Sequence, residues 1–312
     1  MKYSVVVPVY KNAESIPRLI AALIGMSREL GGEMEAVFVV DGSPDQSFAL
    51  LREQIGKLAF PAQLLAHSRN FGSFPAIRTG LRAARGRYFG VMAADLQEPP
   101  ELLVAFFKAL AADECDVAIG TRDGRDDPRT SRAASSLFWA LYRKLVVPDM
   151  PPGGVDVFGC NVAFRDQLLA LEESRSSLIA LIFWLGFRRK LVGYKRQMRQ
   201  EGKSAWTLSK KIDYMMDSIF AFTDYPIRLL MRIGALGSAV SLLAALVVLV
   251  GRLAGAISVP GYAATMLAVL VLGALNLLGL GLVGTYAWRA YENSKQRPLA
   301  VVAVSIDNKV NE

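Results

Sequence analysis

The sequence predicts an α/β domain built on a parallel sheet, followed by apolar helices that lie in a membrane. Three observations carry that assignment. Short β-branched runs alternate with helix-periodic segments from Ser4 to Gly120. Asp41 and Asp95 each fall just past the end of such a run. Beyond Arg228 the charges thin out, and Ile233 to Gly251 and Leu253 to Trp288 carry none.

Ser4-Val5-Val6-Val7-Pro8-Val9 is a continuous apolar run, the pattern of a parallel strand buried on both faces. Ala13 to Leu30 follows with helical spacing, which puts Ile16, Leu19, Ile20 and Leu23 on one side. Glu35 to Val40 is a second strand, closed by the turn cluster Asp41-Gly42-Ser43-Pro44. Phe48 to Leu58 is helical, Gln63 to Ala66 is a short third strand, and Ser73 to Ala84 is another helix. Tyr88 to Ala93 is a fourth strand. Glu98-Pro99-Pro100-Glu101 opens a helix, with prolines where a first turn tolerates them, and Cys115 to Gly120 is a fifth strand. In sheets of this kind ligands sit at the carboxyl ends of the strands, which is where Asp41 and Asp95 lie.

The apolar half reads as two spans, near 231–252 and 264–288, joined by a turn around Ser258-Val259-Pro260-Gly261. Arg228 and Arg232 precede the first span, and Arg289, Lys295 and Arg297 follow the second. The loop between them has only Arg252 at its edge, so the positive-inside rule places both termini and the α/β domain in the cytosol. Thr207 to Arg228 carries Ile212, Met215, Met216, Ile219 and Phe220 among charges. That stripe fits an amphipathic helix on the membrane surface or a packed helix of the α/β domain. The expected organisation is 1–205 for the α/β domain, 206–230 for the juxtamembrane helix, 231–290 for the helical hairpin and 291–312 for a cytosolic tail. Gly234 and Ser238, four apart, permit self-association into a homo-oligomer.

Composition agrees. The hydrophobic fraction is 53% and the net charge +8, and mean hydropathy is +0.30. A basic balance beside apolar spans points to an anionic membrane surface rather than to nucleic acid. Cys115 and Cys160 are the two cysteines, too few and too far apart for a disulfide framework or a zinc site. Met1-Lys2-Tyr3 runs straight into a strand without the apolar stretch of a signal peptide, as expected of a bacterial-type inner-membrane protein with a cytosolic domain.

Asp95, in Asp95-Leu96-Gln97, can hold Mg²⁺ or Mn²⁺ through oxygen against a diphosphate. Asp41 can meet a nucleobase or ribose, or simply shape its turn. Arg69-Asn70-Phe71-Gly72 sets a cation and a glycine before a helix N-terminus, a combination that suits phosphate. Arg122, Arg125, Arg129 and Arg132 form a basic stretch that reads equally as a solvated loop, because Asp123, Asp126 and Asp127 interleave with it. No GxGxxG dinucleotide fingerprint opens a helix after a strand, since Gly279, Gly281 and Gly284 have that spacing only inside an apolar span, and no GxxxxGK[ST], GxSxG or HExxH motif occurs. His67 is the one histidine, which excludes multi-histidine metal sites; its place is a strand end rather than a catalytic role.

VVVPVYKNAES, VVDGSPDQS, HSRNFGSFPAIRTGL and ADLQEPPELL, in that order, resemble the successive signatures of family 2 glycosyltransferases. The resemblance is closest to the polyprenyl-phosphate branch that includes dolichyl-phosphate mannose synthase. It continues through GVDVFGCNVAFR, RQEGKSAWTLSKK and GTYAWRAYENSKQRPL, and so covers nearly the whole chain. It implies a GT-A (Rossmann-like) fold, a divalent Mg²⁺ or Mn²⁺ ion, and inverting transfer from a nucleotide-sugar to an undecaprenyl or dolichyl phosphate among membrane lipids. By the same resemblance Pro8, Tyr10 and Glu14 match the nucleoside-contacting segment, and Asp41 and Asp45 the acids of the VDDGS region. Asp95 and Gln97 match the DADLQ motif at metal and diphosphate, and Asp156 the acid near the reacting sugar. Arg132 and Ser135 match acceptor-phosphate positions, and Arg199, Gly202 and Ser204 the RxxGxS pattern before the juxtamembrane helix; with Arg122 of the basic stretch, Arg132, Ser135, Arg199 and Ser204 are the expected acceptor-phosphate residues. Val40 and Ala93 replace two family acids, and no arginine follows Asp156 as in the usual motif. A lipid-linked glycan acceptor, and a nucleotide-sugar-binding protein without activity, are the alternatives.

Overall fold

The structure, a computed structural model, describes residues 1–122, 140, 142–144, 146–151, 155–173, 176–197, 208–254 and 261–308. Among the described residues eight strands form one sheet: β1 (Tyr3–Val9), β2 (Met34–Val40), β3 (Ala62–His67), β4 (Tyr88–Val91), β5 (Val117–Arg122), β6 (Val155–Asn161), β7 (Arg189–Tyr194) and β8 (Val302–Asn308). Their order is β7-β5-β6-β4-β1-β2-β3-β8. The described helices are α1 (Ile16–Glu29), α2 (Ser47–Ile55), α3 (Ser73–Ala83), α4 (Pro100–Ala111), α5 (Val162–Ala170), α6 (Leu178–Trp184), α7 (Leu208–Phe222), α8 (Tyr225–Leu253) and α9 (Tyr262–Ser294). A 3₁₀ turn at Ala13–Ser15 leads into α1.

β2 is buried at every residue and β1 at all but Pro8, which is why both appear in the sequence as unbroken apolar runs. Val5, Val7 and Val9 join residues of α1 and α4 in the main core. Val6 points the other way, under Gly80 of α3. Helix α4 carries Phe106 and Phe107, both fully buried, and the sheet makes room for them with small residues. A Cβ on Gly90 would come within 3.0 Å of Phe107, and one on Gly159 within 3.2 Å of Phe106. Gly90, Gly159 and Ala118 lie in register across β4, β6 and β5.

The sheet is mixed rather than parallel. β6 runs antiparallel between β4 and β5, and β8 runs antiparallel on the outer side of β3. Apolar periodicity reports burial and not strand direction, so it could not show these reversals. The last strand also revises the expected cytosolic tail at 291–312: residues 302–308 belong to the sheet. Asn308 donates to Ile55 O at 2.6 Å, and Arg85 forms an ion pair with Asp307.

The chain divides into two compact units, Met1–Tyr214 with Arg297–Glu312, and Met215–Gln296. The boundary therefore falls inside α7 rather than at 205. In the first unit the Tyr214 hydroxyl lies 2.5 Å from Ser177 Oγ and 3.3 Å from the buried Tyr142 hydroxyl. In the second, Arg289 pairs with Asp217 at 2.6 Å and lies over the Phe220 ring. Among the described residues one stretch, Val271–Ser294 of α9, is long and apolar enough to cross a membrane. Helix α8 covers the other expected span, with exposed Leu236, Leu243, Leu246 and Val247.

Candidate active site

Strands β1 to β5 and β7 all point one way, so their carboxyl ends share one edge of the sheet. The chain passes from β1 outward through β2 and β3, then returns to place β4 on the other side of β1. Between β1 and β4 is the topological switch point, where open α/β sheets bind ligands. Pro8 opens it. Met92 N donates to Val6 O at 3.0 Å as the last rung between these strands. The next donor would be residue 8, and proline has no N–H to give. Beyond that rung both chains turn sharply. Lys11 after β1 has φ +55 and Leu96 after β4 has φ +52, backbone conformations that side-chain-bearing residues seldom adopt.

Asp45 joins the loops after β1 and β2. Its Oδ1 accepts from Ser43 Oγ at 2.6 Å and Ser47 N at 3.2 Å; its Oδ2 accepts from Ala13 N at 3.0 Å and Ser47 Oγ at 2.9 Å. The two hydroxyls in turn accept from Lys11 N at 2.8 Å and Asn12 N at 3.2 Å. Burial raises the Asp45 pKa, but these four hydrogen bonds together outweigh it and hold the carboxyl below its ordinary range. Every lone-pair direction of the carboxylate is in use. Asp45 thus acts on the chain itself.

Asp41 does likewise for the loop after β3. It is buried, and accepts from His67 Nδ1 at 2.8 Å, Phe71 N at 2.8 Å and Gly72 N at 2.7 Å. The two amides belong to the entry of α3, where unsatisfied N–H groups gather. His67 is fixed at its other nitrogen by Thr79 Oγ1 at 3.0 Å, which agrees with a structural place for it. Gly42 lets the two loops touch. Its φ is +58, and a Cβ there would sit 2.3 Å from the Arg69 carbonyl carbon. The exposed Arg69 guanidinium stacks on Phe71 at 4.0 Å.

On the other side of the crevice, Asp95, Leu96 and Gln97 form the turn after β4, with Gln97 N donating to Asp95 Oδ1 at 3.3 Å. Gln97 is gripped by the chain leaving β7: Gln197 N donates to its carbonyl at 2.9 Å and Arg196 Nη2 to its Oε1 at 2.5 Å. The sequence marks Arg196 only as half of a Lys-Arg pair after an apolar run. Arg122 ends β5 opposite Tyr194. Asp156 follows Val155, which pairs with Thr121, so the start of β6 also reaches this edge. Pro8 and Tyr10 are half-buried at the end of β1, and Glu14 is exposed in the 3₁₀ turn. Arg132, Ser135, Arg199 and Ser204 lie outside the described residues.

Among the described residues no group of three or more histidine, cysteine, aspartate or glutamate side chains could hold a metal ion. Asp95, half-buried in the turn after β4, is a lone carboxylate of the kind that a magnesium-like ion takes where phosphate oxygens and water complete its shell.

Residues 4–170 match the family described as Glycosyl transferase family 2. The chain belongs to this family. The match runs from β1 to the end of α5 and so contains the crevice and both Asp-centred networks. The glycosyltransferase YkcC of Bacillus subtilis, itself uncharacterized, is 31% identical over 99% of this chain and 96% of its own length. The bactoprenol glucosyl transferase of Shigella phage SfV is 28% identical over 97% of this chain and 98% of its own. A prophage-derived bactoprenol glucosyl transferase of Shigella flexneri is 28% identical over 98% of each chain. These likenesses continue through the apolar helices and β8, well past the segment that the family match covers.

Proposed function

We infer that this glycosyltransferase moves a sugar from a nucleotide-sugar to a polyprenyl phosphate at a membrane. The observation that carries the reading is the β1/β4 crevice, with Asp95 at one wall and the Asp41 and Asp45 loops at the other, in a chain alike end to end to bactoprenol glucosyl transferases. The nucleoside end of the donor would lie by Pro8, Tyr10 and the loops that Asp41 and Asp45 hold, and its diphosphate by Asp95 and Arg69. Here Asp41 and Asp45 fix the shape of the pocket, and Asp156 lies near the reacting sugar.

The acceptor phosphate is already anionic at neutral pH, so its oxygen attacks the anomeric carbon without a strong general base. The bond to the donor diphosphate breaks with inversion, and the electron pair leaves on the diphosphate. The protein's part is to align the two phosphates and to meet the charge on the departing one. A bound Mg²⁺ or Mn²⁺, held by Asp95, would supply Lewis-acid neutralisation of that charge. Arg122, Arg132, Ser135, Arg199 and Ser204 are the proposed contacts of the acceptor phosphate.

Chain connectivity supports a two-span hairpin with the catalytic domain and both termini on one side. The chain leaves the first unit at Tyr214 and rejoins it at Arg297, within reach of β8 in the same sheet. A segment that starts and ends on one side crosses a membrane an even number of times. With Arg228, Arg232, Arg289, Lys295 and Arg297 at its ends, that side is the cytosol. The test is transfer by purified protein from a panel of uridine- and guanosine-diphosphate sugars to undecaprenyl phosphate, with Mg²⁺ or Mn²⁺. Formation of a lipid-linked sugar is expected; no product from any donor would overturn the reading.

A further inference from the structure

We propose that Arg196 binds the donor's diphosphate, held in place for that purpose by Gln97. The proposal rests on the transferase reading above. Three observations point to it.

First, position. Arg196 follows β7, whose carboxyl end lies on the crevice edge, and it reaches across β5 and β6 to the turn after β4. Its guanidinium is bonded to a residue two places from Asp95. Second, restraint. An exposed arginine ordinarily loses much rotamer freedom when it binds a ligand. Here the backbone is pinned by Gln197 N to Gln97 O at 2.9 Å, and the head by Nη2 to Gln97 Oε1 at 2.5 Å. Third, valence. A guanidinium has five N–H donors, and the hydrogen bond to Gln97 uses one. The remaining fork matches phosphate oxygens, and the side chain is exposed. Gln97 is neutral, so it orients the cation without cancelling its charge. A groove of about 500 Å³ between the start of α4 and β7 has Lys195 and Arg196 in its wall, with Glu101 opposite, so this face is open to solvent.

This arrangement also accounts for a neutral residue at Ala93. A crevice that brings a fixed guanidinium to the leaving group needs fewer acids to recruit metal charge. Gln97 then serves as a positioning residue through its Oε1, in place of the contact to the ion that the resemblance implies for it, and Asp95 remains the carboxylate for the ion.

The test uses the full chain in detergent or nanodiscs, with Arg196→Met, Arg196→Lys and Gln97→Ala. Nucleoside diphosphate affinity is measured by calorimetry, and KM for both substrates by transfer assay. Arg196→Met keeps the stem and loses the charge. It is expected to weaken nucleoside diphosphate binding and raise donor KM by roughly ten- to a hundredfold, the size of a charge-assisted contact. Its KM for undecaprenyl phosphate and its thermal midpoint should stay as in the wild type. Arg196→Lys should recover part of the loss, and Gln97→Ala should show a smaller one. Wild-type nucleotide affinity in Arg196→Met would overturn the proposal and leave the transferase reading intact. So would a rise confined to the KM of the lipid substrate. Failure of the wild-type protein to bind any nucleotide or transfer any sugar would overturn both.

Discussion

Replacing Asp41 separates a pocket-shaping acid from a ligand-binding one. Its Oδ1 accepts from His67 Nδ1 and Phe71 N, and its Oδ2 from Gly72 N. Asp41→Ala removes all three acceptances. The His67 side chain is fully buried, so water cannot take the place of the carboxylate there. Phe71 and Gly72 are only half-buried, so water can partly satisfy their amides. With about 1–3 kcal/mol for each donor left unsatisfied, weighted toward His67, the loss comes to about 3–5 kcal/mol. That is a large share of a stability of about 5–15 kcal/mol. Asp41→Asn behaves differently. Its oxygen can keep the Oδ1 position and two of the three bonds, which sets its NH₂ against Gly72 N–H alone. The expected cost is about 1–2 kcal/mol. Denaturant unfolding followed by circular dichroism, with donor KM in parallel, reads both. The order wild type, then Asn, then Ala is expected, with donor KM rising along the same series as the 68–72 loop loosens. Wild-type stability in Asp41→Ala together with a raised KM would refute this reasoning, because it would make Asp41 a direct ligand with no structural role.

Asp45 sets a pH dependence. Its folded pKa lies below the ordinary value of 3.8, so its stabilisation is complete above that value and is lost as pH falls through the folded pKa. Asp116, held down chiefly by Arg188, acts in the same sense. Stability should therefore fall as pH drops below about 4, and less steeply in Asp45→Asn; identical acid profiles for the two proteins would contradict this. Gly42→Ala combines a left-handed backbone with a Cβ 2.3 Å from the Arg69 carbonyl carbon. A loss of at least about 2 kcal/mol is expected, with weaker nucleotide binding, and an unaltered melting curve would count against the contact. Deleting residues 301–312 uncovers the β3 edge and removes the bond from Ser68 N to Val301 O. A lower thermal midpoint and a raised donor KM are expected, and neither should be restored by a 301–308 peptide at micromolar concentration, since the tether that supplies millimolar effective concentration is gone.

The strands that build the crevice were legible because strands buried on both faces leave unbroken apolar runs, and their ends could be located by the acids and turns that stop them. The direction of β6 and the return of β8 were not, since hydrogen-bond direction leaves no mark on hydropathy. The acids themselves were legible as residues but not as roles. Ser43-Pro44-Asp45-Gln46-Ser47 brackets an aspartate with serines two places away on each side, a spacing at which hydroxyls and backbone amides close on a carboxylate. That signal favours an internal use of Asp45 over a ligand-facing one. For Asp41 no neighbouring residue gives such a hint, because its partners are 26, 30 and 31 positions away.

Those internal uses change the electrostatics of the site. Asp41 and Asp45 turn their charge inward onto amides and hydroxyls, while Lys11, Arg69 and Arg196 are exposed at the same sheet edge. A site that must accept two phosphorylated substrates gains from this sorting. The carboxylates give the loops their shape without repelling a diphosphate, and the cations lie where the anion arrives. On that argument Val40 and Ala93, where the resemblance leads one to expect acids, are compatible with an active transferase. Val40 is buried in the core at the end of β2 and Ala93 is half-buried after β4, and neither adds charge beside Asp41 and Asp45, whose carboxylates are already taken up by amides and hydroxyls.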